Sequence, residues 1–118
     1  MTQEDIYSVV KAHGQAAKRV KESGFDAIEL HAAHFYLLNQ FLSPYYNHRT
    51  DEYGGRLENH IRFLKECYFD LLEELVGNLN DVESTSLEGE TIEATMTASG
   101  RSKAICDQVT LRMRPEWR

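Results

Sequence analysis

The order of features between Gly24 and Phe63, GFDAIELHAAHFYLLNQFLSPYYNHRTDEYGGRLENHIRF, constrains this chain more than anything else in it. Phe25 to His31 is a short run in which Phe25, Ala27, Ile28 and Leu30 interleave with Asp26 and Glu29. It follows a glycine and precedes a new helical pattern, so it reads as the strand of a βα unit. His31-Ala32-Ala33-His34-Phe35-Tyr36 comes directly after it, then a polar loop, then a second long helix. Two imidazoles and a phenol therefore fall at the carboxyl end of a strand, where α/β folds place their chemistry.

The flanks fit that unit. Thr2 followed by Asp5 predicts a helix cap, with a helix running to about Ser23 and Gly24 as its stop. Ile6, Val9, Val10, Ala16, Ala17 and Val20 give that helix one apolar face, which Gly14 weakens slightly. Tyr36 to Leu42 suits one short helical turn ended by Pro44. Tyr45 to Gly55 is rich in turn residues. From Leu57, the residues Ile61, Leu64, Tyr68, Leu71, Leu72 and Leu75 keep amphipathic spacing up to Gly77 and Asn78. Residues 79–100 then turn to Ser, Thr, Glu and Gly, and Ile105 to Met113 suits a strand or a short helix before Pro115.

The expected fold class is therefore α/β, with helix, strand, loop and helix forming one slice of a parallel sheet or barrel over residues 1–77 and a divergent tail over 78–118. A lone strand leaves its ladder hydrogen bonds unmade. At 118 residues the chain is shorter than the roughly 200 that an intact (β/α)8 barrel needs. The chain is therefore expected to be a fragment, to pair with other copies in a homo-oligomer, or to use its C-terminal part as improvised extra structure.

Bulk properties remove several classes. A net charge of −6 argues against a nucleic-acid partner. The acidic start Met1-Thr2-Gln3-Glu4-Asp5 carries no signal peptide, and no apolar run is long enough to span a membrane, so a soluble cytoplasmic protein is the default. Cys67 and Cys106 leave room for one disulfide but form no C-x-x-C motif. Cys67 lies near the apolar stripe of the second long helix and reads as a small core residue.

His31 and His34 are open to two readings by spacing alone: loop residues capping a strand end, or paired functional groups. A His-x-x-His pair also suits zinc or iron, but Glu29 and His48 make weak third ligands, and no metal is expected. Tyr36 by itself would suit an amphipathic core; only its place beside the histidines suggests a proton donor. Arg49, Asp51 and Glu52 read as partners that fix the loop, with Arg49 gripping a carboxylate through both arms of its guanidinium.

The run from His31-Ala32-Ala33-His34-Phe35-Tyr36-Leu37-Leu38-Asn39-Gln40-Phe41-Leu42-Ser43-Pro44 through Asn47, Arg49-Thr50-Asp51-Glu52-Tyr53-Gly54-Gly55 and Leu57-Glu58-Asn59 closely resembles the old yellow enzyme family of FMN-dependent NADH:flavin oxidoreductases and enoate reductases. The likeness covers about residues 5 to 77. It implies a TIM barrel with FMN at its carboxyl-end face and NAD(P)H as reductant. The substrate would be a small molecule with an activated C=C bond. His31 and His34 would grip the substrate oxygen, with His31 also against the cofactor, and Tyr36 would protonate the α-carbon. Two imidazole donors aimed at an oxygen that gains negative charge suit this role, since losing one such donor costs ~2.7–4 kcal/mol. A phenol, with an ordinary pKa near ~10, keeps its proton at neutral pH.

Three positions depart from the family. Phe35 stands where glycine is usual, His60 where arginine is usual, and Arg56 replaces a common serine. Counterparts of the family's N-terminal flavin-contacting strands and late phosphate-binding loops are absent from the sequence, as are a G-x-G-x-x-G motif and a P-loop. The expectation is an isolated chain that is catalytically weak or dead. A non-catalytic remnant or interaction module built on the same slice is the rival reading.

Overall fold

A computed structural model of the chain describes residues 1–25, 28–76 and 110–113. The elements are α1 (Gln3–Glu22), β1 (Ile28–His31), α2 (Leu37–Leu42), α3 (Leu57–His60), α4 (Arg62–Val76) and β2 (Thr110–Met113). Helix, strand, loop and helix thus follow in the expected order. The expected helix stop at Gly77 and Asn78, the segment 79–100, Cys106 and Trp117 lie outside the described residues.

Helix α1 starts at a complete capping box. The Asp5 N–H donates to Thr2 Oγ1 at 3.1 Å and the Thr2 N–H to Asp5 Oδ2 at 2.7 Å. The Thr2 N–H, above all, favours the ionised carboxylate, so the Asp5 pKa lies below its ordinary value. Ile6, Val10, Gly14 and Ala17 form the buried side. Gly14 does more there than weaken the helix: a Cβ on it would collide with Asp70 Oδ2 and sit 3.2 Å from the Asp70 carbonyl oxygen. Its bare backbone is what lets α4 come close.

Three contacts show how α1 and α4 run. His13 Nδ1 lies 3.8 Å from Cys67 Sγ, Lys11 bridges to Asp70, and Lys21 Nζ donates to the Leu75 carbonyl at 2.6 Å. From the His13–Cys67 contact to the Lys21–Leu75 contact the partners advance together by eight residues on each helix, so the two run parallel, with β1 between them in sequence. The last contact gives a carbonyl in the last described turn of α4 a side-chain donor.

The expected single helix from Leu57 is two pieces joined at Ile61, where φ is −85° and ψ −12°. The ladder continues across the joint, from the Ile61 N–H to the Leu57 oxygen at 3.1 Å and from the Lys65 N–H to the Ile61 oxygen at 3.0 Å. Ile61, Leu64, Tyr68, Leu71, Leu72 and Leu75 are buried as their spacing implies, whereas Leu57, at the very start, is exposed. Cys67 is a free, fully buried thiol, and burial pushes its pKa up to about 12. His13 Nδ1 bonds to the Val9 carbonyl at 2.9 Å, so it is a donor and cannot take the thiol's proton.

Strand β1 is shorter than the expected run: Phe25 is outside it and exposed, and residues 26 and 27 lie outside the described residues. It pairs antiparallel with β2, Ile28 opposite Met113 and His31 opposite Thr110. Thr110–Met113 falls within the Ile105 to Met113 run and is a strand. The described residues therefore mix helices with a two-stranded antiparallel sheet, in place of the expected slice of a parallel one.

Candidate active site

The site begins where β1 stops. Leu30, Ala32 and Ala33 are buried and anchor the chain, while His31, His34, Phe35 and Tyr36 face outward. His34 and Phe35 both have left-handed backbones, with φ of 54° and 60°. The Tyr36 N–H reaches back to the Ala33 oxygen at 3.3 Å. This tight reversal brings His34 Nδ1 to 3.2 Å from His31 Nε2, with ring centroids 5.0 Å apart. The Tyr36 ring lies 5.6 Å from the His31 ring, and Tyr36 is 64% exposed. All three residues singled out from the sequence therefore stand together.

Two nitrogens 3.2 Å apart can both reach one oxygen at hydrogen-bond distance. In the pair as it stands, one imidazole donates and the other accepts. An incoming oxygen would accept from both, each ring taking the tautomer that donates. The donor set suits a planar group with carbonyl acceptors, which both a flavin ring and an enone present. It lacks the charged fork that suits a phosphate. Glu29 and His48 do not complete a metal site: among the described residues, no three His, Cys, Asp or Glu side chains are grouped to hold an ion.

The Phe35 ring turns to Tyr46, edge-on at 5.7 Å, and Tyr46 meets Tyr45 edge-on at 5.0 Å. The side chain that replaces the family's glycine thus builds an exposed aromatic wall along the loop. Its backbone explains why glycine suits the position, since a side chain at positive φ costs roughly 1–2 kcal/mol.

Behind the site, the loop is held by buried amides. Asn47 Nδ2 gives its two hydrogens to the Phe41 and Tyr53 carbonyls, at 2.8 and 2.7 Å, and its Oδ1 accepts the Arg49 N–H at 3.1 Å. His60 Nδ1 approaches the same Phe41 oxygen at 2.9 Å, so it carries the proton, and its 3.3 Å contact with Asn47 Nδ2 is two donors side by side. The histidine at the family's usual arginine position is thus a buried strut. Arg49 grips Asp51 with Nε at 3.0 Å and Nη2 at 2.5 Å, the expected two-armed contact. That guanidinium, above all, holds the Asp51 carboxyl below its ordinary pKa. Tyr53 donates to Glu66, and burial, with that carboxylate, pushes its pKa up to about 12.

Sequence reading does not single out Asn39. It is fully buried in α2 beside Leu38, Phe41 and Leu42. A buried polar residue inside a short apolar turn was the signal for it, since such a group must have partners.

Comparison with known proteins shows the family. Residues 1–84 match the model of the NADH:flavin oxidoreductase / NADH oxidase family. The NADPH dehydrogenase of Bacillus velezensis is 62% identical over 66 residues, 56% of this chain and 20% of that protein. That of Bacillus subtilis is 59% identical over 79 residues, 67% of this chain and 23% of that protein. That of Clostridium acetobutylicum is 58% identical over 66 residues. The chain spans about a fifth of the length of these relatives. The matched span contains the whole strand-end turn, and the chain belongs to the NADH:flavin oxidoreductase / NADH oxidase family.

Proposed function

We propose that this chain is a segment of an FMN-dependent (β/α)8 barrel that uses NAD(P)H to reduce an activated C=C bond in a small molecule. Residues 1–77 form the barrel segment and 78–118 a divergent tail. The observation that carries the reading is the His31–His34 nitrogen pair at 3.2 Å with the Tyr36 ring 5.6 Å from His31. The parallel course of α1 and α4 supports the barrel, because a ring of repeated βα units makes neighbouring helices parallel.

FMN would supply the hydride-transfer chemistry, with His31 the residue here to touch it. His31 and His34 donate to the substrate carbonyl oxygen and strengthen their hold as negative charge grows there. Their preset spacing orients the alkene. Tyr36, exposed beside them, delivers the proton to the α-carbon.

The test is a graft. The span of the Bacillus subtilis NADPH dehydrogenase that aligns with this chain is replaced by this chain's residues. FMN retention and NADPH-dependent reduction of a cyclic enone are then measured. His34→Ala should lower turnover by about a hundredfold or more, as expected for a lost oxyanion donor. Tyr36→Phe should lower it with substrate binding retained. A graft that holds FMN and reduces the enone equally well with both substitutions refutes the assignment.

A second reading has one observation of its own. Strand β1 pairs antiparallel with β2, whereas neighbouring strands of such a barrel are parallel. A non-catalytic module whose tail covers one strand edge would do this. A colourless protein after incubation of the 118-residue chain with FMN and removal of free flavin favours that reading, and a retained flavin band counts against it.

A further inference from the structure

We infer that Asn39 is the positioning residue of this site: its buried amide clamps the turn that sets His34 against His31. The two imidazoles are anchored differently. His31 belongs to β1 and is fixed by the strand ladder opposite Thr110. His34 lies past the ladder, and its place depends on the turn. That turn contains two successive side-chain-bearing residues at positive φ, His34 and Phe35, a combination that unassisted chains avoid.

Asn39 spans the turn. Its Nδ2 donates to the Ala32 carbonyl at 3.0 Å, and its Oδ1 accepts the Phe35 N–H at 3.2 Å. One planar group thus holds the peptides on both sides of Ala33 and His34. The job needs a donor and an acceptor in one short side chain, and asparagine supplies both. Full burial makes the clamp stringent, because an amide displaced from these partners would lose its hydrogen bonds without gaining water. Gln40, the next residue, donates from Nε2 to the Phe35 oxygen at 2.7 Å and holds the following peptide from the outer side. Asn39 touches neither substrate nor cofactor in this role. It acts through the position of His34.

The catalytic meaning of the clamp rests on the proposed function, but its geometry does not, so the test is run on the full chain without flavin. In the nuclear Overhauser spectrum, cross-peaks between the His31 and His34 ring protons report their approach. Asn39→Leu, which keeps the volume and removes both hydrogen bonds, should abolish them. Asn39→Ser, too short to reach both partners, should do the same. Phe41→Leu on the same helix trims the core without touching the clamp and should keep them. Persistence of the cross-peaks in either Asn39 variant overturns the inference, as does their equal loss in Phe41→Leu. The unsubstituted chain provides a measurement independent of variant folding: the Asn39 side-chain NH2 protons should exchange slowly with solvent. Exchange at the rate of a free amide overturns the clamp. A clamp confirmed in a protein that binds no FMN would leave this inference standing while the flavin reading fails.

Discussion

Phe35 offers the sharpest test of the strand-end turn, because a comparison of two substitutions there isolates the backbone. Phe35 is 49% exposed, and its ring meets Tyr46 edge-on. Phe35→Ala and Phe35→Gly both delete that contact, worth about 0.5–1.5 kcal/mol, so it cancels in their difference. What remains is the backbone. At ordinary negative φ, glycine is the less stable of the two by roughly 0.5–1 kcal/mol, because its unfolded chain has more freedom to lose. At the φ of 60° held by Phe35, alanine carries a steric penalty of about 1–2 kcal/mol that glycine escapes. The order therefore reverses, with glycine ahead by about 0.5–1 kcal/mol. Against Phe35 itself, Phe35→Gly should be nearly neutral, since its released strain offsets the lost contact and the added chain entropy. Urea unfolding followed by far-ultraviolet circular dichroism reads the difference. With a slope of ~1–3 kcal/mol per molar, the two midpoints should differ by roughly 0.2–1 M. An alanine variant as stable as the glycine variant, or more stable, would refute the left-handed turn, and with it the approach of His34 to His31.

Gly14→Ala should destabilise the chain by about 1 kcal/mol in the same assay, because overpacking of ~1–3 kcal/mol against Asp70 outweighs the ~1 kcal/mol that alanine adds to a helix. A stabilised variant would mean that α1 and α4 do not touch there. Asn47→Ala strips the buried Tyr53 carbonyl of its amide donor and removes one of two from Phe41, for an expected loss of about 2 kcal/mol; no change in the unfolding midpoint would contradict that bonding. Alkaline pH should weaken the fold. Tyr53 and Cys67 both have folded pKa values raised to about 12, above their ordinary 10.0 and 9.0, so over that window the native chain binds more protons than the unfolded one. Their contribution is whole below pH 9 and declines as pH rises towards 12, and an unfolding midpoint that holds steady across this range would contradict both assignments.

Much of this architecture is local and could be read in order along the chain. Thr2 and Asp5 specify a cap within one helical turn, and Pro44 forces Ser43 into the extended backbone that ends α2. Arg49 and Asp51 meet across two residues. Other features depend on what packs against what. Gly14 looks like a weak spot in α1 until Asp70, 56 positions later, fills the space above it. Leu57 shares the spacing of the α4 stripe but precedes the part of the helix that reaches the core. The pairing of His31 with Thr110 joins residues far apart in sequence, and no short-range pattern encodes such register. The left-handed backbone at Phe35 is hidden for the opposite reason, since an aromatic residue argues against it. Only the likeness to a family with glycine there hints at the turn.

The division between local and remote structure bears on what the segment can do by itself. His31, His34 and Tyr36 lie within six residues, and the amides that brace them, Asn39 and Gln40, follow within four more. Apart from the strand ladder under His31, the hydrogen bonds described above that set the imidazole pair are made inside this ten-residue stretch. Donor geometry of that kind needs little of a barrel. Gripping a flavin is a different demand, because a large planar cofactor with a charged tail needs enclosing surfaces and an anion site as well as two or three donors. Binding and chemistry should therefore separate in this chain: the imidazole pair should keep its spacing without cofactor, while turnover should appear only when the rest of a barrel is supplied. A graft that regains activity from a segment whose histidines were already in contact before grafting would show preorganisation by ten residues. A chain whose imidazoles come together only in the graft would instead locate their order in the barrel as a whole.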